Sequence, residues 1–218
     1  MSKWKAAVVA VAVLLFCAGR AKADTTPVVL TFEGVGDLVP INDFYNGGAG
    51  GSLGISFGAD ALAIVSSLNG GSGDIANLPS GDTAAVFFSG TGDLMNVAAG
   101  FTTGFSFFYS AASLPGTVTV WSGLDGTGTM LASLSLPSNG SCSVGPAFCF
   151  WTPISVTFAG TAQSVNFSGT ANAIAFDDVT VGSSTAGGGP TPTPEAPTML
   201  LLGAGSLGLL GARRRKSA

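Results

Sequence analysis

Histidine is absent from all 218 residues, and neither lysine nor arginine occurs between Asp24 and Gly189. Those absences remove most catalytic constellations at once: no Ser-His-Asp triad, no Cys-His pair, no Schiff-base lysine and no histidine metal site. Nucleic acid is excluded as a partner of this stretch, because phosphate neutralisation requires lysine or arginine. Internal salt bridges are excluded on the same ground. Eleven carboxylates occupy the stretch, Glu33 and the aspartates at 24, 37, 43, 60, 74, 82, 93, 125, 177 and 178. The formal net charge of −4 therefore conceals a segregation, since all eight basic residues lie at the two ends. The middle of the chain must fold on apolar burial and hydrogen bonds, against its own charge repulsion.

Cysteine is scarce as well, with Cys17, Cys142 and Cys149 the three present. The first 24 residues, "MSKWKAAVVAVAVLLFCAGRAKAD", read as a signal peptide over 1–23. Lys3 and Lys5 form the charged start, an apolar stretch follows, and Ala21-Lys22-Ala23 supplies an A-x-A cleavage site before Asp24. Signal peptidase is the partner this implies, and export the consequence. In an exported chain the remaining pair, Cys142 and Cys149, is expected to form a disulfide.

Helical periodicity is nearly missing from 24–182. In its place come short runs rich in β-branched and aromatic residues, separated by Gly, Asn, Asp, Ser and Pro clusters. The clearest are 28–33, 55–57, 61–66, 84–89, 104–110, 117–122, 130–136, 154–160, 164–169 and 173–181. Several alternate directly: Phe105, Phe107 and Tyr109 share one face, as do Val118 and Val120, and Ile154, Val156 and Phe158. The pattern predicts an all-β domain over 24–182, an antiparallel two-sheet β-sandwich. "LDGTG" at 124–128 reads as a hairpin, since Asp-Gly supplies positive φ angles.

Within that domain three chemistries stay open. Calcium binds through oxygen ligands, and Glu33 with Asp177 and Asp178 forms the candidate metal set, placed near the first and last strands. The alternative is that these acids are solvated. Sugar stacking is a second possibility, with Trp121, Tyr45 and Trp151 as candidate platforms. The plainer reading is that each covers a sheet edge or fills a core corner. A carboxylate-pair glycosidase is a third, although Asp177 and Asp178 are expected to point to opposite faces of one strand.

The chain ends in "SSTAGGGPTPTPEAPTMLLLGAGSLGLLGARRRKSA". Residues 183–193 form a flexible and then semi-rigid linker. Residues 198–212 are fifteen uncharged positions, about 22 Å long as a helix. That is shorter than a ~30 Å hydrocarbon core, with snorkelling arginines able to close part of the gap. Arg213, Arg214, Arg215 and Lys216 form a basic stop, expected to remain cytoplasmic. Pro194-Glu195-Ala196-Pro197, the short Leu/Gly-rich transmembrane segment and the basic cluster together resemble a PEP-CTERM sorting signal over 194–218. The sequence reads Pro-Glu-Ala-Pro where the family's namesake is Pro-Glu-Pro. The resemblance implies recognition and cleavage by an exosortase, a membrane transpeptidase-like enzyme. "FEG" near the start, "LDGTGTML" and "IAFDDVTVG" also resemble the jelly-roll ectodomains found before such tails.

The missing catalytic side chains point to a non-enzymatic protein, and the resemblance implies an exported one that passes through an inner-membrane intermediate. Its destination would be the cell envelope, outer surface or extracellular matrix, in association with exopolysaccharide and biofilm. A calcium-supported, lectin-like module is the alternative.

Overall fold

The computed structural model describes residues 26–189. The signal peptide, its cleavage site, the sorting motif, the apolar tail segment and the basic stop lie outside the described residues. Among the described residues no helix is long and apolar enough to cross a membrane.

Fourteen strands follow one another: β1 (Val28–Leu30), β2 (Val39–Pro40), β3 (Asn46–Gly48), β4 (Gly51–Ser52), β5 (Ile55–Phe57), β6 (Ala61–Val65) and β7 (Thr83–Phe87) come first. Then come β8 (Gly92–Phe101), β9 (Gly104–Ser110), β10 (Gly116–Trp121), β11 (Met130–Leu136), β12 (Thr152–Thr157), β13 (Ala162–Gly169) and β14 (Ala175–Val181). Twelve of these strands form an antiparallel two-sheet sandwich, and β3 and β4 pair only with each other. The larger sheet runs β12-β9-β14-β7-β6-β2, with β1 also paired to β14; the smaller runs β11-β10-β13-β8-β5.

The alternation in the sequence explains the packing. Phe105, Phe107 and Tyr109 of β9 point inward with Phe176 of β14, while Phe167 reaches them from the smaller sheet. Phe167 meets Phe176 edge-on at 4.9 Å and Phe107 at 6.1 Å, so aromatic contacts tie one sheet to the other. Val118 and Val120, predicted to share a face, are both fully buried in this core. Ile154, Val156 and Phe158 pack against it only in part, because β12 is an edge strand.

The Asp-Gly hairpin forms between β10 and β11 with Asp125 at φ 56° and Gly126 at φ 67°. Side chains of the smaller sheet hold it. Asn96 donates to Asp125 Oδ1 at 2.7 Å and accepts from its amide at 2.9 Å. Ser164 Oγ accepts from the Gly126 amide and donates to the Gly123 carbonyl.

The expected strand over 28–33 ends early, at Leu30, because Phe32 adopts a positive φ of 63° and turns its ring into the core. The longest strand, β8, is one the sequence reading did not separate. Its inward Met95 and Val97 are diluted by Ala98, Ala99 and Gly100, residues with weak strand preference.

The register fixes which end is which. β8 starts beside the end of β13, with Gly92 opposite Ser168, and finishes with Phe101 opposite Ala162. A tight turn at Thr102–Thr103 then leads into β9, whose Phe105 lies opposite Val181 at the end of β14. Val28 pairs with the same Val181. Both ends of the described chain therefore leave from the Phe101 end of the sandwich. The Gly92 end lies roughly 30 Å away, ten strand residues on.

Candidate functional site

Four groups of residues in the domain merit a functional reading, and the structure separates those with partners from the one without. The first is the acidic set at the fork beside β14. Along one edge β14 pairs with β7 through Phe176 and then with β1 from Val179 onward. Where the neighbour changes, backbone amides of the 80–83 turn lack a ladder partner, and the acids supply it. Glu33 Oε1 accepts from the amides of Asp82 at 2.9 Å and Thr83 at 2.8 Å, and Oε2 accepts from Thr83 Oγ1. Asp177 accepts from the amides of Ser80 at 3.2 Å and Asp178 at 2.7 Å. Asp178 accepts from Ser80 Oγ at 2.6 Å.

The expectation that Asp177 and Asp178 face opposite sides is corrected here. A bulge between Asp177 and Thr180, with Asp178 at φ 48°, brings both carboxylates to Ser80. The structure thus does gather Glu33, Asp177 and Asp178, but around backbone amides. Among the described residues no group of three or more acidic or cysteine side chains is placed to hold a metal ion. Asp177 is fully buried, and burial first, then the Asp178 charge, pushes its carboxyl up to about 8. That burial closes it to a substrate.

The second group is the proposed sugar platform, which the structure disperses. Tyr45 is only 2% exposed, with its hydroxyl accepting from the Phe32 amide at 2.8 Å. Its ring packs against Phe32 and Phe44, leaving no face for a sugar. The platform reading of Tyr45 is corrected, and the alternative holds: its Gly-rich loop folds the ring into the core. Trp121 is half-buried on the outer face of the smaller sheet, its indole donating to Thr119 Oγ1. Trp151 lies against the outer face of the larger sheet and donates to the Ala76 carbonyl at 2.8 Å. The three do not share a surface.

The third is the disulfide loop. Cys142 is bonded to Cys149, as expected. The loop carries Phe148 to the 74–76 segment, where its amide donates to the Asp74 carbonyl and its carbonyl accepts from the Ala76 amide. Ile64, Ile75, Ala84, Val86 and Ala175 form a second apolar cluster beneath, with Phe148 and Trp151 against it. The role is to cover the outer face of the larger sheet. Asn139 clasps the loop to β9: its Oδ1 accepts from the Ala111 amide, and its amide group donates to the Tyr109 and Phe150 carbonyls. Nothing local in the sequence marks that asparagine.

The fourth is an open, polar cleft of about 310 Å³ at the Gly92 end, lined by Gly58, Asp60, Thr91, Asp93, Asn166 and Ser168 among others. It lies at the far end of the sandwich from both ends of the described residues. Asp93 is its most unusual member, because it stands on the face of β8 that Met95 and Val97 fill with apolar side chains. It is 8% exposed, and its Oδ2 accepts no hydrogen bond. Burial pushes its carboxyl up to about 6, partly offset by the amides of Leu94, Gly58 and Asp60, with Asp60 adding a further upward push.

The tail beyond the domain is decided by its sequence. Residues 192–216 match the PEP-CTERM protein-sorting motif. The tail is a PEP-CTERM sorting signal. The signal marks the chain for export and for exosortase processing from a membrane-anchored intermediate. Its matched span ends at Lys216, the last residue of the basic cluster.

No curated protein sequence matches the chain. Among solved structures, the K2 cleaved adhesin domain of Lys-gingipain is similar at 16% identity and a TM-score of 0.47, covering 72% of this chain and 99% of its own. A glycoside hydrolase family 43 arabinoxylan arabinofuranohydrolase from Bacillus subtilis, in complex with cellotetraose, is similar at 20% identity and a TM-score of 0.37. The match covers 56% of this chain and 24% of that enzyme. The family 11 carbohydrate-binding module from Clostridium thermocellum, in complex with a mixed-linked tetrasaccharide, is similar at 13% identity and a TM-score of 0.36, covering 73% and 96%. At those scores none of the three bears on ligand or activity.

Proposed function

We propose that this PEP-CTERM protein is a non-enzymatic β-sandwich, released by an exosortase into the cell envelope or extracellular matrix, where it associates with exopolysaccharide. The observation that carries the reading is the sorting signal at 192–216, joined to a domain without a single basic or imidazole side chain. In this reading Glu195 and the flanking prolines present the cleavage site. Arg213–Lys216 hold the tail in the inner membrane until cleavage. The short apolar segment suffices because it is a temporary stop.

Intact-mass analysis of the protein from its native host tests this. The expected mature chain lacks both 1–23 and the basic cluster 213–216, and Glu195→Ala accumulates the uncleaved form. A stable product still ending at Ala218 overturns it and leaves an ordinary anchor.

A second reading, a polysaccharide-binding module, is favoured by the position of the cleft. It opens at the end farthest from the tether, where a module hung from a membrane would meet its surroundings. Retention on the host's own polysaccharide, lost on Asn166→Ala, is the expected result. Equal retention of wild type and variant removes the cleft from that role.

A further inference from the structure

We propose that the cleft at the Gly92 end is a site for one hard divalent cation of the calcium type, held between Asp93 and Asp60. The inference does not depend on how the chain is sorted or on whether it binds polysaccharide.

It begins with a broken pattern. On β8, the inward positions after Asp93 are Met95 and Val97, and the residue opposite Asp93 on β13 is Phe167. A carboxylate placed where the strand alternation calls for an apolar side chain is a local conflict, and such conflicts concentrate at functional sites. Asp93 also keeps one oxygen, Oδ2, buried without a partner. The acids of the β14 fork give a contrast, since both oxygens of Glu33 and of Asp177, and Oδ1 of Asp178, accept from backbone amides, Thr83 Oγ1 or Ser80. Among the described residues, Asp93 Oδ2 is the one buried carboxylate oxygen without a hydrogen-bond partner, and it belongs to a side chain that lines the cleft.

Asp60 supplies the second charge. Its Oδ1 accepts from Ser89 Oγ, and its Oδ2 is turned toward Gly90. A side chain at Gly90 would meet Asp60 Oδ2 at 3.4 Å and the Gly92 carbonyl oxygen at 3.8 Å, so the bare glycine leaves both oxygens open to one region. Gly58 is bare for a related reason: a Cβ there would sit 2.3 Å from Asp93 Oδ1. Asn166 and Ser168, hydrogen-bonded to each other at 3.0 Å, complete a rim made of oxygen and amide groups.

Two other occupants fit less well. Behind Asp93 lies a void of about 20 Å³ walled by Phe57, Phe87, Phe167 and Phe176, room for a single water. A water there would find one polar partner where it needs two to four. A neutral sugar could donate to Asp93, but it would leave the repulsion between the two carboxylates in place. A divalent cation cancels two charges with two charges, and calcium accepts carboxylate, amide, carbonyl and water oxygens in a flexible shell. Two carboxylates and an open, hydrated side correspond to the weak affinity of extracellular modules, roughly 0.1–1 mM.

The test is thermal melting of the protein purified from its host, titrated with calcium chloride and, separately, with sodium chloride at matched ionic strength. Calcium is expected to raise the melting temperature with half-saturation at roughly 0.1–1 mM, beyond the sodium effect. Asp60→Asn and Asp93→Asn should each shift half-saturation upward by at least about tenfold, the loss of one ligating charge. Asp74→Asn, an exposed acid away from the cleft, should leave it unchanged. Equal responses to the two salts overturn the proposal. So does a calcium response that survives in Asp60→Asn, the variant at the half-buried position that is safest for folding.

Discussion

Asp177 is wholly buried in a domain with no basic side chain to hold it ionised, so the folded state stores a proton there. Burial, Asp178 and then Glu33 push its carboxyl up to about 8, and the Tyr45 phenol lies within the same field. The unfolded chain gives up that proton near the ordinary aspartate value, ~3.9. Between about 4 and about 8 the folded state therefore binds more protons than the unfolded, and stability falls as pH rises through that window. Asp177→Asn is expected to flatten the slope, read as melting temperature at pH 5 against pH 8. An unchanged slope would show that Asp177 is ionised in the fold. Tyr45 offers a second check at this scale. Tyr45→Phe keeps the ring packing but leaves the buried Phe32 amide without its acceptor. The expected cost is about 1–3 kcal/mol by chemical denaturation.

At the scale of elements, β14 organises the molecule. It pairs with β9 along one edge and with β7 and β1 in turn along the other. The bulge at Asp177–Thr180 accommodates that change of neighbour and turns Asp177 to the Ser80 amide and Asp178 to the Ser80 hydroxyl. The disulfide loop works on the opposite principle, adding a cover and leaving both ladders intact. Closing a loop of that size contributes about 2.5 kcal/mol in the chain-entropy model. Replacing Cys142 and Cys149 with serine should therefore leave the sandwich folded while loosening the 74–76 contact. Hydrogen exchange is expected to accelerate at the Ala76 and Phe148 amides, which bond across that contact, before it does at Phe107 in the central sheet. Simultaneous loss of protection at all three would mean that the loop is integral to the core.

Across the whole molecule the segregation of charge has a thermodynamic consequence. Eleven carboxylates face no base between Asp24 and Gly189, and Asp93, Asp177 and Asp178 are all pushed up by burial. Every one of those three shifts favours the protonated folded state, while Asp37, held down by the Val65 amide, acts the other way. Ordinary proteins lose stability as carboxylates protonate; this domain is expected to melt higher at pH 5 than at pH 8, and the difference should shrink in high salt. A melting temperature that rises from pH 5 to pH 8 would contradict it. The same layout orders the protein in space. Both ends of the described residues leave from one end of the sandwich, and the cleft opens at the other.

The amino-acid sequence alone determined what depends on local pattern. Strand alternation, turn chemistry and the Asp-Gly hairpin are written into adjacent residues, so the all-β class and nearly every long strand were legible. The sorting signal is a linear motif that needs no fold to be read, and a cysteine pair seven residues apart has few alternatives. Only the tertiary structure decided which polar groups are satisfied. Glu33, Asp177 and Asp178 looked like free acids until sheet order set β1, β7 and β14 side by side and the bulge turned Asp178. Tyr45 could be a sugar platform or a core ring until its loop placed it on Phe32. Asp93 was one aspartate among many in a weakly marked strand; its inward position follows from the pairing of β8 with β13. Alternation has period two and belongs to the backbone, whereas partners for buried oxygens come from segments distant in the chain, which only packing brings together.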